Sequence, residues 1–362
     1  MKPLNSNKTA LARLLRPLWW CLGWFFKGTT PVRRPASILV FDFHLIGDIV
    51  LVTPLLRALR EGYPEAHIAL VAGPWSGEIL KGTAWVDEII PFSAPWVKYG
   101  QGWPGWLRCI ELALQLKQRN WDLGIEVRGD VRQILLLALA GSKRRLGYDF
   151  TGGGPLLTDV VPDDGTPSHL ADHHRRIAEY LGIWPANTRY VPIISLTDEE
   201  ALLARQRSGY CGFHLGASLP LRRLPLKEAI QLVRRVTERV TLPIVLFVSP
   251  DDPANSQRLF DALPPLIQKR IELWSGDLRT MMVTLSRAAH LYCMDSGTAH
   301  IAAALGVPLT VIYGPAVSTY VRPIGDLVTI VERNDLDCKP CDQIHCSNSL
   351  RQCCLTGLVD TL

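Results

Sequence analysis

The chain has 362 residues, enough for two cores of ordinary size. It is 48% hydrophobic and 20% charged, which excludes a disordered or collagen-like chain. No apolar run reaches the ~18–20 residues of a spanning helix, so a polytopic membrane protein is excluded as well. The net charge of +5 is unevenly placed. The first 37 residues hold Lys2, Lys8, Arg13, Arg16, Lys27, Arg33 and Arg34 and no acid, while the rest has 32 basic and 34 acidic residues. The excess is a short arm, and general nucleic-acid binding by the body is not indicated.

In the arm, Leu11, Leu14, Leu15, Leu18, Leu22, Phe25 and Phe26 follow helical spacing on one face, with Arg13, Arg16 and Lys27 opposite. Trp19, Trp20 and Trp24 are of a type enriched at the membrane boundary. The expectation is a helix lying in the cytoplasmic leaflet with its cations on anionic head groups. Packing on the protein itself, with a kink at Pro17, is the alternative. A secretory signal is the third reading, but no small-x-small cleavage site follows Phe26.

From Ile38 strands and helices alternate. Ile38–Phe43, His67–Ala72, Asp87–Pro91 and Asp122–Val127 read as strands, and Ile49–Glu61, Trp106–Gln118 and Arg132–Ala140 as helices. A Gly/Pro/Asp-rich break covers 151–167. A helix over His169–Leu181 then leads to a linker near Pro185–Pro192. The pattern restarts with strands Tyr210–Leu215, Ile244–Val248, Ile271–Leu273, Leu291–Met294 and Leu309–Tyr313, and helices Leu226–Val240, Leu278–Ala288 and Thr298–Leu305. This predicts an α/β protein of two doubly wound parallel-sheet domains with a cleft between them. The expected divisions are an arm over 1–37, a first α/β domain over 38–190, a second over 191–330 and a Cys-rich tail over 331–362.

Chemistry-bearing residues gather where strands run into helices, the place ligands occupy in such sheets. The first strand leads into His44-Leu45-Ile46-Gly47-Asp48. Gly47 permits a tight turn, and Asp48 reads either as a helix cap or as a general base. In the second half, Asp295-Ser296-Gly297-Thr298-Ala299-His300 joins a strand to an Ala-rich helix. Small residues there free backbone N–H groups for phosphate, and Asp295 and His300 flank that nest; Asp295 as a cap and His300 as a packed residue is the lesser alternative. His214-Leu215-Gly216-Ala217-Ser218 with Arg222 and Arg223 offers a second phosphate contact or a solvated basic turn.

Three histidines share one predicted helix, His169, His173 and His174. A His-x-x-x-His pair can ligate a metal, yet no third ligand stands nearby in sequence. Cys21, Cys109, Cys211 and Cys293 are scattered and read as small buried hydrophobes in a reducing compartment. Cys338, Cys341, Cys346, Cys353 and Cys354 crowd the tail. Zinc on Cys338, Cys341, Cys346 and Cys354, a redox pair and a reduced structural knuckle are all open readings.

The ordered set of motifs resembles the family 9 glycosyltransferases, which include the lipopolysaccharide heptosyltransferases. The resemblance covers Ile38 onward. It rests on Gly47-Asp48 with Leu51-Val52-Thr53-Pro54, Tyr63-Pro64-Glu65-Ala66-His67-Ile68, His214 to Ser218 with Arg222-Arg223-Leu224-Pro225, Asp295 to Pro308, and Tyr313-Gly314-Pro315. It implies a GT-B fold, inversion at the anomeric carbon and no catalytic metal or cofactor. It implies Asp48 as base, and a donor diphosphate held by Ser296, Gly297 and Thr298, with Asp295 toward the sugar and His300 nearby. Ser218 matches a hydroxyl position that touches phosphate, and Arg222 stands where the family usually has Lys, keeping the charge but changing its geometry. The family often has a basic residue where this chain has Asp42, and Asp or Ser where it has His44; both positions are assigned to the acceptor side.

The partners so implied are ADP-heptose and a glycolipid acceptor, with the arm on the inner face of the bacterial inner membrane and the body in the cytoplasm. A nucleotide-sugar epimerase of similar fold and a non-catalytic homologue are the competing expectations. Only an epimerase would alter the donor sugar without an acceptor.

Overall fold

The computed structural model describes residues 16–26, 34–97, 102–166, 168–339, 341, 346, 348–349 and 351–361. The chain divides into two compact units, residues 1–190 and 191–362.

The first unit begins with α1 (Arg16–Phe25) and continues β1 (Ser37–Asp42), α2 (Ile46–Gly62), β2 (His67–Ala72), α3 (Ser76–Leu80), β3 (Glu88–Pro91), α4 (Gly102–Lys117), β4 (Leu123–Glu126), α5 (Val131–Leu139), β5 (Arg144–Gly147), β6 (Asp159–Val160) and α6 (Leu170–Tyr180). The strands form one parallel sheet in the order β3-β2-β1-β4-β5-β6. β1 lies at the centre, and Ile38 to Phe41 are fully buried, as a parallel strand covered on both faces requires. α4 and α5 cover one face, packing Cys109, Leu112, Leu116 and Leu137 on Leu39, Phe41 and Val71.

α2 carries Pro54 in its interior. A proline there removes the bond that would reach the carbonyl of Val50. The Thr53 hydroxyl donates to that carbonyl instead, at 2.8 Å, so the buried acceptor stays satisfied.

Most of the basic arm, 1–15 and 27–33, lies outside the described residues. The described helix α1 rests on the turn Gly154–Leu156. Trp19 and Phe26 pack with Ile134, Ala138 and Leu156. A Cβ at Gly23 would stand 2.2 Å from the Pro155 carbonyl oxygen, so only glycine allows this approach. The Arg145 guanidinium donates to the carbonyls of Phe26, Leu156 and Ser142. Pro17 is the second residue of the described helix, so the expected kink falls at the edge of the described residues.

The second unit runs α7 (Asp198–Arg205), β7 (Tyr210–His214), α8 (Leu226–Arg239), β8 (Ile244–Phe247), α9 (Pro253–Asp261), α10 (Pro265–Gln268), β9 (Ile271–Trp274), α11 (Leu278–Leu285), β10 (Ala288–Met294), α12 (Gly297–Ala304), β11 (Leu309–Tyr313), α13 (Ser318–Val321) and β12 (Val328–Glu332). Its sheet is also parallel, in the order β12-β11-β10-β7-β8-β9. Read from β7, this is the strand order of the first unit, the doubly wound arrangement of dinucleotide-binding folds. The tail is not set apart: Cys354, Leu355, Leu358 and Val359 belong to the same core as Phe213, Leu232 and Leu246. β12 crosses the expected division at 330.

Among the described residues no helix is long and apolar enough to cross a membrane.

Candidate functional site

In each sheet the strand order reverses beside the first strand, and loops leaving the two strands at that break diverge to leave a crevice. In the first unit the break lies between β1 and β4. Phe41 pairs with Glu126 at the carboxyl ends, which brings the segments after both strands together.

Asp48 is the third residue of α2, so Gly47 lies inside the helix rather than in a turn before it. One Asp48 oxygen accepts the N–H of Leu45 at 2.9 Å, the return half of a helix-start pair. Its other oxygen takes Nη1 of Arg128 at 2.9 Å, and both side chains keep some exposure, 16% and 24%. Asp48 is therefore both a helix-start acceptor and an open carboxylate held by a charge-assisted bond.

Arg128 was not legible as a site residue. It stands on a loop held from below by Glu126, whose oxygens accept the N–H groups of Arg128 at 3.0 Å and Gly129 at 2.6 Å. Gly129 has φ +66°, a conformation that glycine adopts without strain. Burial, reinforced by nearby Asp130, pushes Glu126 well above the ordinary carboxylate range. Asp130 caps α5 and pairs with Arg132, and despite its burial these contacts hold it below the ordinary range.

Asp42 and His44 share this edge. Asp42 is fully buried. Its Oδ1 accepts the His44 N–H at 3.3 Å and lies 3.4 Å from His44 Nδ1, while Oδ2 has no hydrogen-bond partner. Asp42 thus props His44, which remains partly exposed.

The histidines on α6 do not converge. His169 caps the helix, its ring accepting the Ala171 N–H at 3.1 Å. His173 meets the Ser168 hydroxyl at 2.8 Å, and His174 Nδ1 meets the Leu51 carbonyl at 3.1 Å. Burial pulls His174 down to about 4, partly countered by Asp42.

In the second unit the break lies between β7 and β10, and the expected donor residues follow these two strands. Arg222 Nη1 lies 3.2 Å from Asp295 Oδ2, joining the two loops. Arg223 turns the other way, to the Ala217 carbonyl at 2.8 Å and to Asp252. Ser218 is exposed at the loop. His214 is buried, and burial pulls its ring down to about 4.

Ser296 occupies the cap position of α12 but makes no cap bond. Its hydroxyl is buried and has no hydrogen-bond partner. Gly297 opens the helix, and Thr298 and His300 are buried on it. Burial, with Asp295 adding, pushes the Tyr313 phenol well above its ordinary value. A helix start whose cap side chain leaves its N–H groups unserved, beside an arginine, is an anion-receiving arrangement.

The five tail cysteines line one cavity of about 20 Å³ with Leu221, Pro315, Lys339 and Gln352. Among the described residues no three His, Cys, Asp or Glu side chains are arranged to hold a metal ion, so the zinc expectation finds no geometric support. The Gln352 amide donates to the Leu221 carbonyl at 3.3 Å, which ties the tail to the loop carrying Arg222.

Two parallel sheets of one strand order, with polar loops at each break, are the arrangement of a GT-B fold. Residues 109–351 match the family described as glycosyltransferase family 9 (heptosyltransferase), and the chain belongs to that family. Among curated relatives, lipopolysaccharide heptosyltransferase 2 of Escherichia coli is 25% identical over 82% of this chain and 87% of its own. Lipooligosaccharide heptosyltransferase 2 of Haemophilus influenzae is 22% identical over 82% and 88%. Among solved structures, E. coli ADP-heptose LPS heptosyltransferase II aligns with a TM-score of 0.69 at 21% identity, over 84% of this chain and 95% of that one. E. coli heptosyltransferase WaaC with ADP aligns with a TM-score of 0.65 at 18% identity, over 81% and 92%.

Proposed function

We propose that the protein is an inverting heptosyltransferase that moves heptose from ADP-heptose onto the core of a lipopolysaccharide. The observation that carries this reading is the start of α12, where the buried Ser296 hydroxyl lacks a partner beside the Arg222–Asp295 pair. A nucleoside diphosphate offers the acceptor oxygens that such a place lacks. The choice of nucleotide and sugar is supported by relatives named as lipopolysaccharide heptosyltransferases, and by solved neighbours named with ADP and with ADP-2-deoxy-2-fluoro heptose.

In this reading Asp48, aimed by Arg128, takes the proton of the acceptor hydroxyl. The oxygen attacks the anomeric carbon from the face opposite the diphosphate. The bond from that carbon to the diphosphate breaks, and ADP departs with the electron pair. Arg222 and the N–H groups at the start of α12 stabilise the departing charge, and preorganised donors of this kind are worth roughly 3–4 kcal/mol each. Ser218, Thr298 and His300 complete the donor side. These groups do the work a divalent cation would do, so the reaction runs without one. Nucleotide sugar and lipid-linked acceptor meet at the inner face of the inner membrane, where we place the enzyme.

The test combines the full chain with ADP-heptose and heptose-deficient lipopolysaccharide. Acceptor-dependent ADP release, a product of inverted anomeric configuration by NMR, and no loss of rate in EDTA are expected. Release of ADP without transfer, or a rate abolished by EDTA and restored by magnesium, would overturn the corresponding part.

A further inference from the structure

Helix α4 presents an apolar face to solvent. Trp103, Leu107, Ile110 and Leu114 recur at helical spacing and are 80%, 62%, 51% and 58% exposed, with Trp106 beside them at 44%. The opposite face of the same helix is already used: Gly105, Cys109, Leu112, Ala113 and Leu116 are buried against the sheet. The helix is therefore apolar on two sides, and packing within the unit explains only one. Single exposed hydrophobes are ordinary, but five large ones on one stripe of a helix mark an interaction surface.

We infer that this stripe is the surface by which the protein docks on a lipid bilayer. The occupant follows from its chemistry and size. Its tryptophans stand at the end of the helix that starts from the carboxyl edge of the sheet, and tryptophan is enriched where membrane meets water. Lys117, exposed at the other end, supplies a cation for anionic head groups, and the helix has one acid, Glu111. With aromatic side chains offering ~150–250 Å² each, the stripe amounts to roughly 600 Å². A second copy seated on it would fall short of the ~800 Å² per partner of a standard interface. A bilayer needs no matching shape.

The stripe is also continuous with the loop that holds Asp48. Trp106 packs on Trp96 at 5.4 Å between ring centroids, and the Arg132 guanidinium lies 5.0 Å over Trp96. Arg132 pairs with Asp130, in the loop that carries Arg128. The stripe thus lies within a short chain of contacts of the proposed acceptor side. The described part of the arm, by contrast, spends Trp19 and Phe26 on the protein itself.

The inference rests on a lipid-linked acceptor only for its purpose; binding is measured separately. Full-length protein is sedimented with vesicles of phosphatidylethanolamine and phosphatidylglycerol, beside a variant carrying Leu107→Glu and Ile110→Glu and another carrying Trp20→Glu. Intact protein and Trp20→Glu should bind, and the α4 variant should lose at least fivefold of its bound fraction while keeping its melting temperature and its rate on a deacylated, water-soluble acceptor. Because these side chains face solvent, Leu114→Ser serves as a milder second variant and should bind measurably less. Equal binding by all forms, loss only with Trp20→Glu, or a variant that turns a dimer into a monomer without changing vesicle binding would each overturn it. Asp48→Asn should bind vesicles like the parent. Binding through α4 with no heptose transfer would sink the proposed activity and leave this inference standing.

Discussion

The two units share one strand order and differ in what their loops bring to its reversal. At the break in the first sheet stands a carboxylate, Asp48, held by an arginine on the loop after the neighbouring strand. At the break in the second the carboxylate, Asp295, is buried and paired, and the open features are an arginine and a helix start. The backbone topology places both sites, but the loop residues decide their chemistry. In the proposed reading one unit takes a proton and the other receives an anion.

The sharpest way to break that contrast is a paired substitution. Asp48→Asn keeps the shape and the bond to the Leu45 N–H but cannot take a proton. It should lower kcat by about 10³, within the ~10²–10⁴ that a positioned general base contributes, and leave the ADP-heptose thermal shift intact. Arg222→Ala should lower kcat/KM about 100-fold, in line with the loss of one preorganised donor, and should also shrink the thermal shift. If both variants lose donor binding equally, the division of labour between the units is wrong.

Much of this division was legible in the sequence. Alternating apolar runs gave the parallel sheets, Gly47-Asp48 after the first strand drew attention to Asp48, and the small residues at 296–299 drew attention to Ser296. Strand order was not legible, because a repeating βα pattern does not say which strands are neighbours. For that reason Arg128 went unnoticed: only the pairing of β1 with β4 brings it to Asp48. Strand β5 was hidden because Arg144 and Arg145 spoil its apolar run, one paired with Asp159 and the other buried on carbonyls. Helix α7 did carry a signal, Thr197 with Glu200 three residues on, and the two close a capping box in the structure. The partner of α1 was out of reach, since Gly154–Leu156 lies far along the chain.

A smaller effect depends on pH, and each unit holds a buried histidine pulled down to about 4, His174 in the first and His214 in the second. Buried His174 is pulled down to about 4, whereas an unfolded histidine titrates near 6.5. Between those values the unfolded chain binds the extra proton, so this share of stability is present above about pH 6.5 and is lost as the pH falls toward 4. The loss should be about 2 kcal/mol at pH 5 relative to pH 7.5, and His174→Gln should remove it. Ten of the eleven tryptophans belong to the first unit, so urea unfolding followed by tryptophan fluorescence reads that unit almost alone. An unchanged pH slope in the variant would show that other groups carry the acid sensitivity, with His173, also pulled down by burial, the next to replace.

The smallest expected effect tests whether the first site depends on the loop beneath it. Glu126 touches no proposed substrate and acts only by fixing the backbone that presents Arg128 to Asp48. Both of its oxygens accept N–H groups, and glutamine would offer one acceptor and turn its own N–H groups toward the second donor. Glu126→Gln should therefore loosen the loop and lower kcat by roughly 3–10-fold, the scale of one weakened hydrogen bond of about 1 kcal/mol. KM for ADP-heptose and the donor thermal shift should not move, because the anion-receiving loops belong to the other unit. A fall in melting temperature with kcat unchanged would make Glu126 a purely structural residue, and the orientation of Asp48 would then depend on α2 alone.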